Sequence, residues 1–408
     1  ALDAAAQRAL PALLPTAIFF SEREEARARV EAVVRAAEVL GPGVALEVRV
    51  FGSSANQFGS DGADLDMCVV PAGVAAQRPT PAMLPGGWNC NDGGVDLAGA
   101  LPAADGAVSP AETVRRVADA LARAGMRDVK ARDTARVPIV LFQDVGAPGS
   151  LGGLECDVSA HNPLALRNTE LLRAYASIDP RVRHVTYAVK MWARRRRINS
   201  PSDGTLSSYG YVLAAIYYLQ AVAQPPVLPS LQRLPPQWPQ ATQQGAAAAA
   251  LISHPFDAGR AVNLYFHEPT AESLAALRRI AARNTESVGA LLAGFFRHFA
   301  WDFDFGADVV SVRLAAPLPK CAKAEFECWA PHRRLAIEDP FETFYDVAHV
   351  LKHSKHQQVR LEFLRAHDIL ERAAETPAGA QIDVAGLLDE LCEPPRESKM
   401  RACSIEEF

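Results

Sequence analysis

Two aspartates one residue apart, Asp64 and Asp66, open a segment whose other residues, Leu65, Met67, Val69 and Val70, are apolar. Side chains alternate faces along a strand, so the two carboxylates share one side. Neighbouring carboxylates repel, and burying them without partners is costly. A fold keeps such a pair mainly where a cation lies between them. Hard oxygen ligands of this kind suit Mg2+, which usually arrives carrying phosphates. The preceding strand, Leu46 to Phe51, runs into Gly52-Ser53-Ser54, a small-residue turn whose N–H groups and hydroxyls can meet those phosphates. On an exposed strand the same Asp-x-Asp would signify only solvation. The apolar flanks argue for a strand in a core, and so for chemistry.

At 408 residues the chain is long enough for two domains. Its 49% hydrophobic and 22% charged residues are those of a globular protein, and no uninterrupted apolar run reaches membrane-spanning length. The seven cysteines are dispersed, with no Cys-x-x-Cys pair and no His spacing that completes a zinc site; an odd, scattered set fits a reducing compartment. A net charge of −5 argues against a chain that coats nucleic acid non-specifically. The densest basic run, Trp192 to Ile198, reads most simply as a solvated helix end, since cations favour helix C-termini. The first twenty residues lack the build of a signal peptide.

Helical spacing from Ser21 to Val39 predicts a helix ahead of the two strands. Residues 71–105, rich in Gly, Pro and Asn, predict a long loop or insertion. Ser109-Pro110 opens a helix to Ala124 with Glu112 in its first turn. Val129 to Phe142 holds one or two strands, residues 146–153 a turn, and Leu154 to Ser159 another strand. From Asn168 the spacing turns helical: Thr169–Tyr175, Pro180–Arg196, Ser207–Val222, Ala271–Arg283, Val288–Phe299, Phe341–Lys352 and Gln358–Ala374 are predicted helices, with a Pro/Gln/Ala-rich loop or linker over 224–249. The fold class is α/β plus α, a mixed sheet with helices followed by a mainly helical part. The expected divisions are an N-terminal helical extension (1–40), a sheet domain (41–160), a helical domain (161–355) and a C-terminal helical extension (356–408).

A two-metal phosphoryl-transfer site needs a third carboxylate. Asp157, on the strand Leu154 to Ser159, is the natural candidate. Alternation turns Glu155 the same way, so it remains a rival. Gly52-Ser53, Asp64-x-Asp66 and Asp157 resemble the polymerase-β-like nucleotidyltransferase superfamily. Asn168-Thr169, Lys190 to Arg194, Ile198 to Pro201, Gly204 to Tyr211 and Ile337 to Glu342 follow in order. Together they resemble the non-canonical poly(A) polymerase and terminal uridylyltransferase family, from about Ala45 to Lys352. The compact build, with extra terminal helices and no visible RNA-recognition or zinc-finger module, is similar to the minor editosome-associated uridylyltransferase type.

The resemblance implies a polymerase-β-like catalytic domain and a helical base-recognition domain. It implies two Mg2+ (or Mn2+) ions at Asp64, Asp66 and Asp157, and UTP as the nucleoside triphosphate whose UMP passes to an RNA 3′ end with release of pyrophosphate. Poly(A) synthesis from ATP is the alternative, and an inactive scaffold subunit a third. Gly52 and Ser53 would hold the terminal phosphates, Lys190 and Arg194 would neutralise the triphosphate, and Ser208 would bind on the phosphate side. Tyr209 would stack on the base, Asn168 and Thr169 would contact the ribose, and Asp339 and Glu342 would line the base edge. Asp157 would help deprotonate the RNA hydroxyl. Partner proteins of an RNA-processing or editing complex are implied, without membrane association, in a mitochondrial or alternatively a cytoplasmic setting. RNA affinity is expected to be weak and salt-sensitive, with processivity supplied by a partner.

Without the resemblance, Tyr209 reads as core, Lys190 and Arg194 as a solvated face, and Asp339-Pro340 as a helix start with Glu342 completing a capping box. The chain departs from the family at several points. Ala63 stands where the family often carries Ser. Tyr345 stands three after Glu342, where some uridylyltransferases carry a His that disfavours ATP. Ala348-His349 replaces a common Gly-Arg. The stretch between Asp66 and Asp157 is too short for the large extra domain of some editing-linked relatives. Base choice stays open.

Overall fold

The alternation of apolar residues in the N-terminal half builds one five-stranded mixed sheet. Its strands are β1 (Leu46–Val50), β2 (Leu65–Pro71), β3 (Arg127–Arg132), β4 (Ile139–Asp144) and β5 (Leu154–Ala160), in the order β1-β2-β5-β4-β3. β2 and β5 run parallel, and the other neighbours are antiparallel. The computed structural model describes residues 14–60, 62–73, 82–83, 108–146, 153–239, 248–249, 251–257, 260–323, 334–374 and 384–394. These fall into a sheet unit, Leu14–Ala176 with Arg233–Glu268, and a helical unit, Ser177–Gln232 with the chain from Pro269 onward. The predicted loop over 71–105 and turn over 146–153 lie largely outside the described residues, as does part of the 224–249 stretch.

In the sheet unit, α1 (Ala17–Ala36) is capped by Thr16, whose side chain accepts from Phe19 N–H. It buries Ala26, Val30 and Val34, four residues apart, in one core with Leu65, Met67, Val69, Val140 and Val158. α2 (Pro110–Arg123) adds Val114, Val117 and Leu121. As the sequence predicts, Ser109 caps it, accepting from Glu112 N–H at 3.2 Å, and Pro110 occupies its first position. Val129 to Phe142 resolves into two antiparallel strands, β3 and β4. α3 (Pro163–Ile178) begins earlier than the expected Thr169, because Asn162 Oδ1 accepts from Ala165 N–H at 3.1 Å. Asn168 and Thr169 therefore lie within a helix.

The helical unit contains α4 (Pro180–Arg195), α5 (Ser208–Tyr217), α6 (Ala271–Ala281), α7 (Val288–Arg297), α8 (His353–Ala374) and α9 (Val384–Cys392). The expected helices ending at Val222 and Phe299 instead widen into π-helical turns, Tyr218–Val222 and His298–Asp302. Trp192 of α4 is fully buried, with ring contacts to Tyr211, Phe296 and Phe363 at 6.0, 4.8 and 5.1 Å. In the basic run, Arg194, Arg195 and Arg197 are exposed, whereas Arg196 is buried and bidentate to Glu362 at 2.6 and 2.7 Å. The run is therefore only partly a solvated helix end.

The expected helix over Phe341–Lys352 is not formed. Asp339 Oδ1 does accept from Phe341 and Glu342 N–H, both at 2.9 Å, as a helix cap would. The chain then doubles back: Tyr345 carbonyl accepts from Asp339 N–H, Ile337 carbonyl accepts from Val347 N–H, and Glu338 bridges Asp346 antiparallel. Asp346 Oδ1 accepts from Ile337 and Ala348 N–H, satisfying donors a helix would have used. The capping signal was real, but the backbone beyond it bonds to the segment before it. None of the described helices is long and apolar enough to cross a membrane.

Candidate active site

β2 is buried at Leu65 and from Met67 to Val70, so the half-buried Asp66, its second residue, is the polar exception among them. The parallel ladder pairs Asp66 with Asp157 of β5. Paired residues on adjacent strands stand about 4.8 Å apart with side chains on one face. Asp64 is exposed just ahead of β2. The electrostatics register the crowding. Burial, then the charges of Asp157 and Asp64, pushes Asp66 up to about 7. Burial, then Asp64 and Glu155, pushes Asp157 up to about 6, with Arg132 opposing. Glu155 is exposed, pairs with Gln143 and accepts from its side chain at 3.1 Å. The register thus favours Asp157 over Glu155 as the partner of Asp66. Three carboxylates brought together here, two of them holding their protons more tightly for it, form a donor set suited to a hard divalent cation.

The Gly-Ser turn is a short 3-10 segment, Gly52–Ser54, entered from β1. Gly52 has φ +65°, and a β-carbon on it would press into Asp66 Oδ2 and stand 3.1 Å from Asp66 Cγ. No other residue lets the turn approach the carboxylate so closely. Gly52 N–H donates to Thr169 Oγ1 at 2.8 Å, and that hydroxyl donates to Ala165 carbonyl at 2.8 Å. Thr169 therefore fastens α3 to the turn. Asn168 stands beside it on α3 and Ser53 in the middle of the turn.

In the helical unit, Lys190 and Arg194 lie four apart on α4, Arg194 exposed and Lys190 half-buried. Burial, then the charge of Arg194, lowers Lys190 to about 8. α5, capped by Ser207, packs against α4 and carries Ser208 and Tyr209 at its start, where helix N–H groups favour anions. Ser208 Oγ accepts from Asn199 Nδ2 at 2.8 Å. Tyr209 hydroxyl donates to Asp339 Oδ2 at 2.9 Å. Both Asp339 oxygens are thus engaged, one by Tyr209 and one by its own turn. Burial, then the charge of Glu342, pushes Asp339 up to about 6. Tyr209, Asp339 and Glu342 form one cluster, with Tyr209 raised well above its ordinary range by burial and by both carboxylates.

Known proteins match much of the chain. The profile "Poly(A) RNA polymerase, mitochondrial-like, central palm domain" matches residues 2–177, and "Cid1 family poly A polymerase" matches residues 287–343. A solved cytoplasmic RNA terminal U-transferase aligns over 95% of this chain and 98% of its own, at TM-score 0.68 and 25% identity. The chain belongs to the non-canonical poly(A) polymerase and terminal uridylyltransferase family. It is 34% identical over 232 residues to poly(A) RNA polymerase GLD2 of Xenopus tropicalis, covering 57% of this chain and 38% of that protein. It is 32% identical over 329 residues to terminal uridylyltransferase 7 of Homo sapiens, covering 80% and 18%. The match therefore spans well under two thirds of either relative's length. Within this family member, the first matched stretch holds all three carboxylates and the second holds Asp339 and Glu342.

Glu338 carries no distinguishing signal in the sequence. It is completely buried beside Asp339 and bonds Ser311 at 2.6 Å, Lys323 at 2.7 Å and Arg313 at 2.8 Å. Nothing local in Ile337 to Glu342 distinguishes its acidic residues. Only the fold shows that Glu338 anchors the segment while Asp339 meets Tyr209.

Proposed function

We propose that this chain transfers nucleoside monophosphates from a nucleoside triphosphate to RNA 3′-hydroxyls, with UTP as the preferred donor. The observation that carries the reading is the pairing of Asp66 with Asp157, beside Asp64, on one face of the sheet. Asp64, Asp66 and Asp157 would hold two Mg2+ ions, which when bound supply charge to the phosphates and acidify the attacking hydroxyl. Asp157 accepts the proton of the RNA 3′-hydroxyl, whose oxygen attacks the α-phosphorus in line. The phosphorus–oxygen bond to pyrophosphate breaks, and pyrophosphate leaves. Gly52 and Ser53 shape the phosphate turn. Lys190 and Arg194 neutralise triphosphate charge, and Ser208 binds on the phosphate side. Tyr209 stacks on the base, held at its hydroxyl by Asp339, while Glu342 lines the base edge. Asn168 contacts the ribose; Thr169, also expected there, acts in part by fastening Gly52.

Similarity over 80% of the chain to a terminal uridylyltransferase supports UTP. The ATP reading is favoured by Tyr345, which stands where some uridylyl relatives carry a His. Extension of an RNA primer with each nucleotide separately, in Mg2+, tests both. UTP incorporation lost in Asp66→Ala supports the first reading. ATP-only incorporation moves the conclusion to the second, and unchanged incorporation by Asp66→Ala removes the metal site.

A further inference from the structure

One buried cation beside the carboxylate strand has no part in the chemistry above. Arg23 of α1 is 5% exposed. Its Nε donates to Ser54 Oγ at 3.1 Å, its Nη1 to Phe19 carbonyl at 3.3 Å, and its Nη2 to Ala63 carbonyl. The guanidinium lies 3.6 Å above the Phe19 ring. Ser54 Oγ also donates to Asp64 carbonyl at 3.3 Å. These bonds tie together the two feet of the loop that leaves β1 and enters β2. One foot is the Gly52–Ser54 turn, and the other is the backbone of Ala63 and Asp64, three and two residues before Asp66. Phe19 packs into the same loop: a β-carbon on Gly59 would stand 2.7 Å from its ring and 2.6 Å from Ser53 carbonyl. A planar guanidinium presents its donors as a rigid fork and can bridge two such acceptors at fixed angles, which an ammonium on a flexible stem cannot.

We propose that Arg23 is a positioning residue that sets the phosphate turn and the Asp64–Asp66 segment in one fixed relation, making α1 part of the reaction site. The inference rests on Asp64, Asp66 and Asp157 being metal ligands. The test uses the whole chain and Mn2+ as the probe, with free Mn2+ followed by electron paramagnetic resonance in the absence of nucleotide. Urea unfolding and primer extension are measured beside it.

In Arg23→Met, Mn2+ affinity and kcat are each expected to fall about tenfold to a hundredfold, the range for residues that orient metal ligands. Arg23→Lys, which keeps the charge but not the fork, should recover neither fully. Ser54→Ala should move both in the same direction by less. If Arg23→Met does not fold, Arg23→Lys and Ser54→Ala decide. Lowered stability with wild-type Mn2+ affinity and wild-type kcat in the folded variants would overturn the proposal, because a merely structural role does that. Asp66→Asn separates the two readings. If it too binds Mn2+ like wild type, the metal site has failed. If it loses Mn2+ while the Arg23 and Ser54 variants keep it, only the role of Arg23 has failed.

Discussion

Gly52→Ala isolates the closeness of the Gly52–Ser54 turn to the carboxylates. Two costs arise at this position. At φ +65° the new β-carbon meets its own backbone, a strain of about 1–2 kcal/mol. It also overlaps the Asp66 carboxylate, so either the turn or that carboxylate must shift. Displacing a reacting group by about 1 Å can cost about a hundredfold in rate, so kcat should fall by that order. Gly125→Ala separates the two costs. Gly125 also has positive φ, +87°, but nothing lies within 4 Å of its would-be β-carbon. Urea unfolding and single-turnover primer extension should therefore diverge: both variants lose about 1–2 kcal/mol, and only Gly52→Ala loses rate. If Gly52→Ala keeps kcat within a few-fold of Gly125→Ala, the close approach of turn and carboxylate has no role in the reaction.

Because Asp66 holds its proton to higher pH when folded than when unfolded, its contribution to stability is complete below its unfolded value of 3.8 and lost as pH rises through about 7. Metal-free protein in chelator should lose up to about 4 kcal/mol over that range. Added Mg2+ should restore it at pH 8 and Asp66→Asn should flatten it; a pH-independent urea midpoint in wild type would refute the coupling. Lys190 is protonated below about 8, so kcat/KM for the nucleotide should decline above that pH. Lys190→Arg should remove the decline, and an identical profile in both would take Lys190 out of triphosphate binding. Tyr209→Phe leaves Asp339 Oδ2 without its donor, which should cost about 1–3 kcal/mol. KM for the nucleotide should rise with kcat less affected, whereas a stability loss with unchanged KM would make Tyr209 a core residue.

The carboxylate cluster and the segment around Asp339 differ in how far local sequence could reveal them. Asp64 and Asp66 were legible because a strand's alternation is local: the apolar neighbours Leu65, Met67, Val69 and Val70 and a Gly-Ser turn suffice to orient both carboxylates. Asp157 was legible only as one of two choices, since alternation treats Glu155 alike. The choice falls out of the parallel register of β2 with β5, a pairing far apart in sequence. The segment from Ile337 to Leu351 shows the opposite case. Its local signals, Asp339 before Pro340 and Glu342 after, are those of a helix start. The side-chain bonds expected of Asp339 as a cap do form, while its N–H, which a capping box would give to Glu342, goes to Tyr345 carbonyl. The course of the backbone beyond Glu342 is decided by residues elsewhere in the chain. Lys323 Nζ reaches both Glu338 and Thr343 carbonyl at 2.7 and 2.6 Å, and Arg334 reaches Asp346. A chain whose middle is pinned by buried charges from outside it cannot close a helical ladder, however good its cap. This segment, to which the proposed function assigns the base edge, owes its shape to partners such as Arg313 and Lys323. Variation there can alter nucleotide choice without touching Asp339, Glu342 or Tyr345.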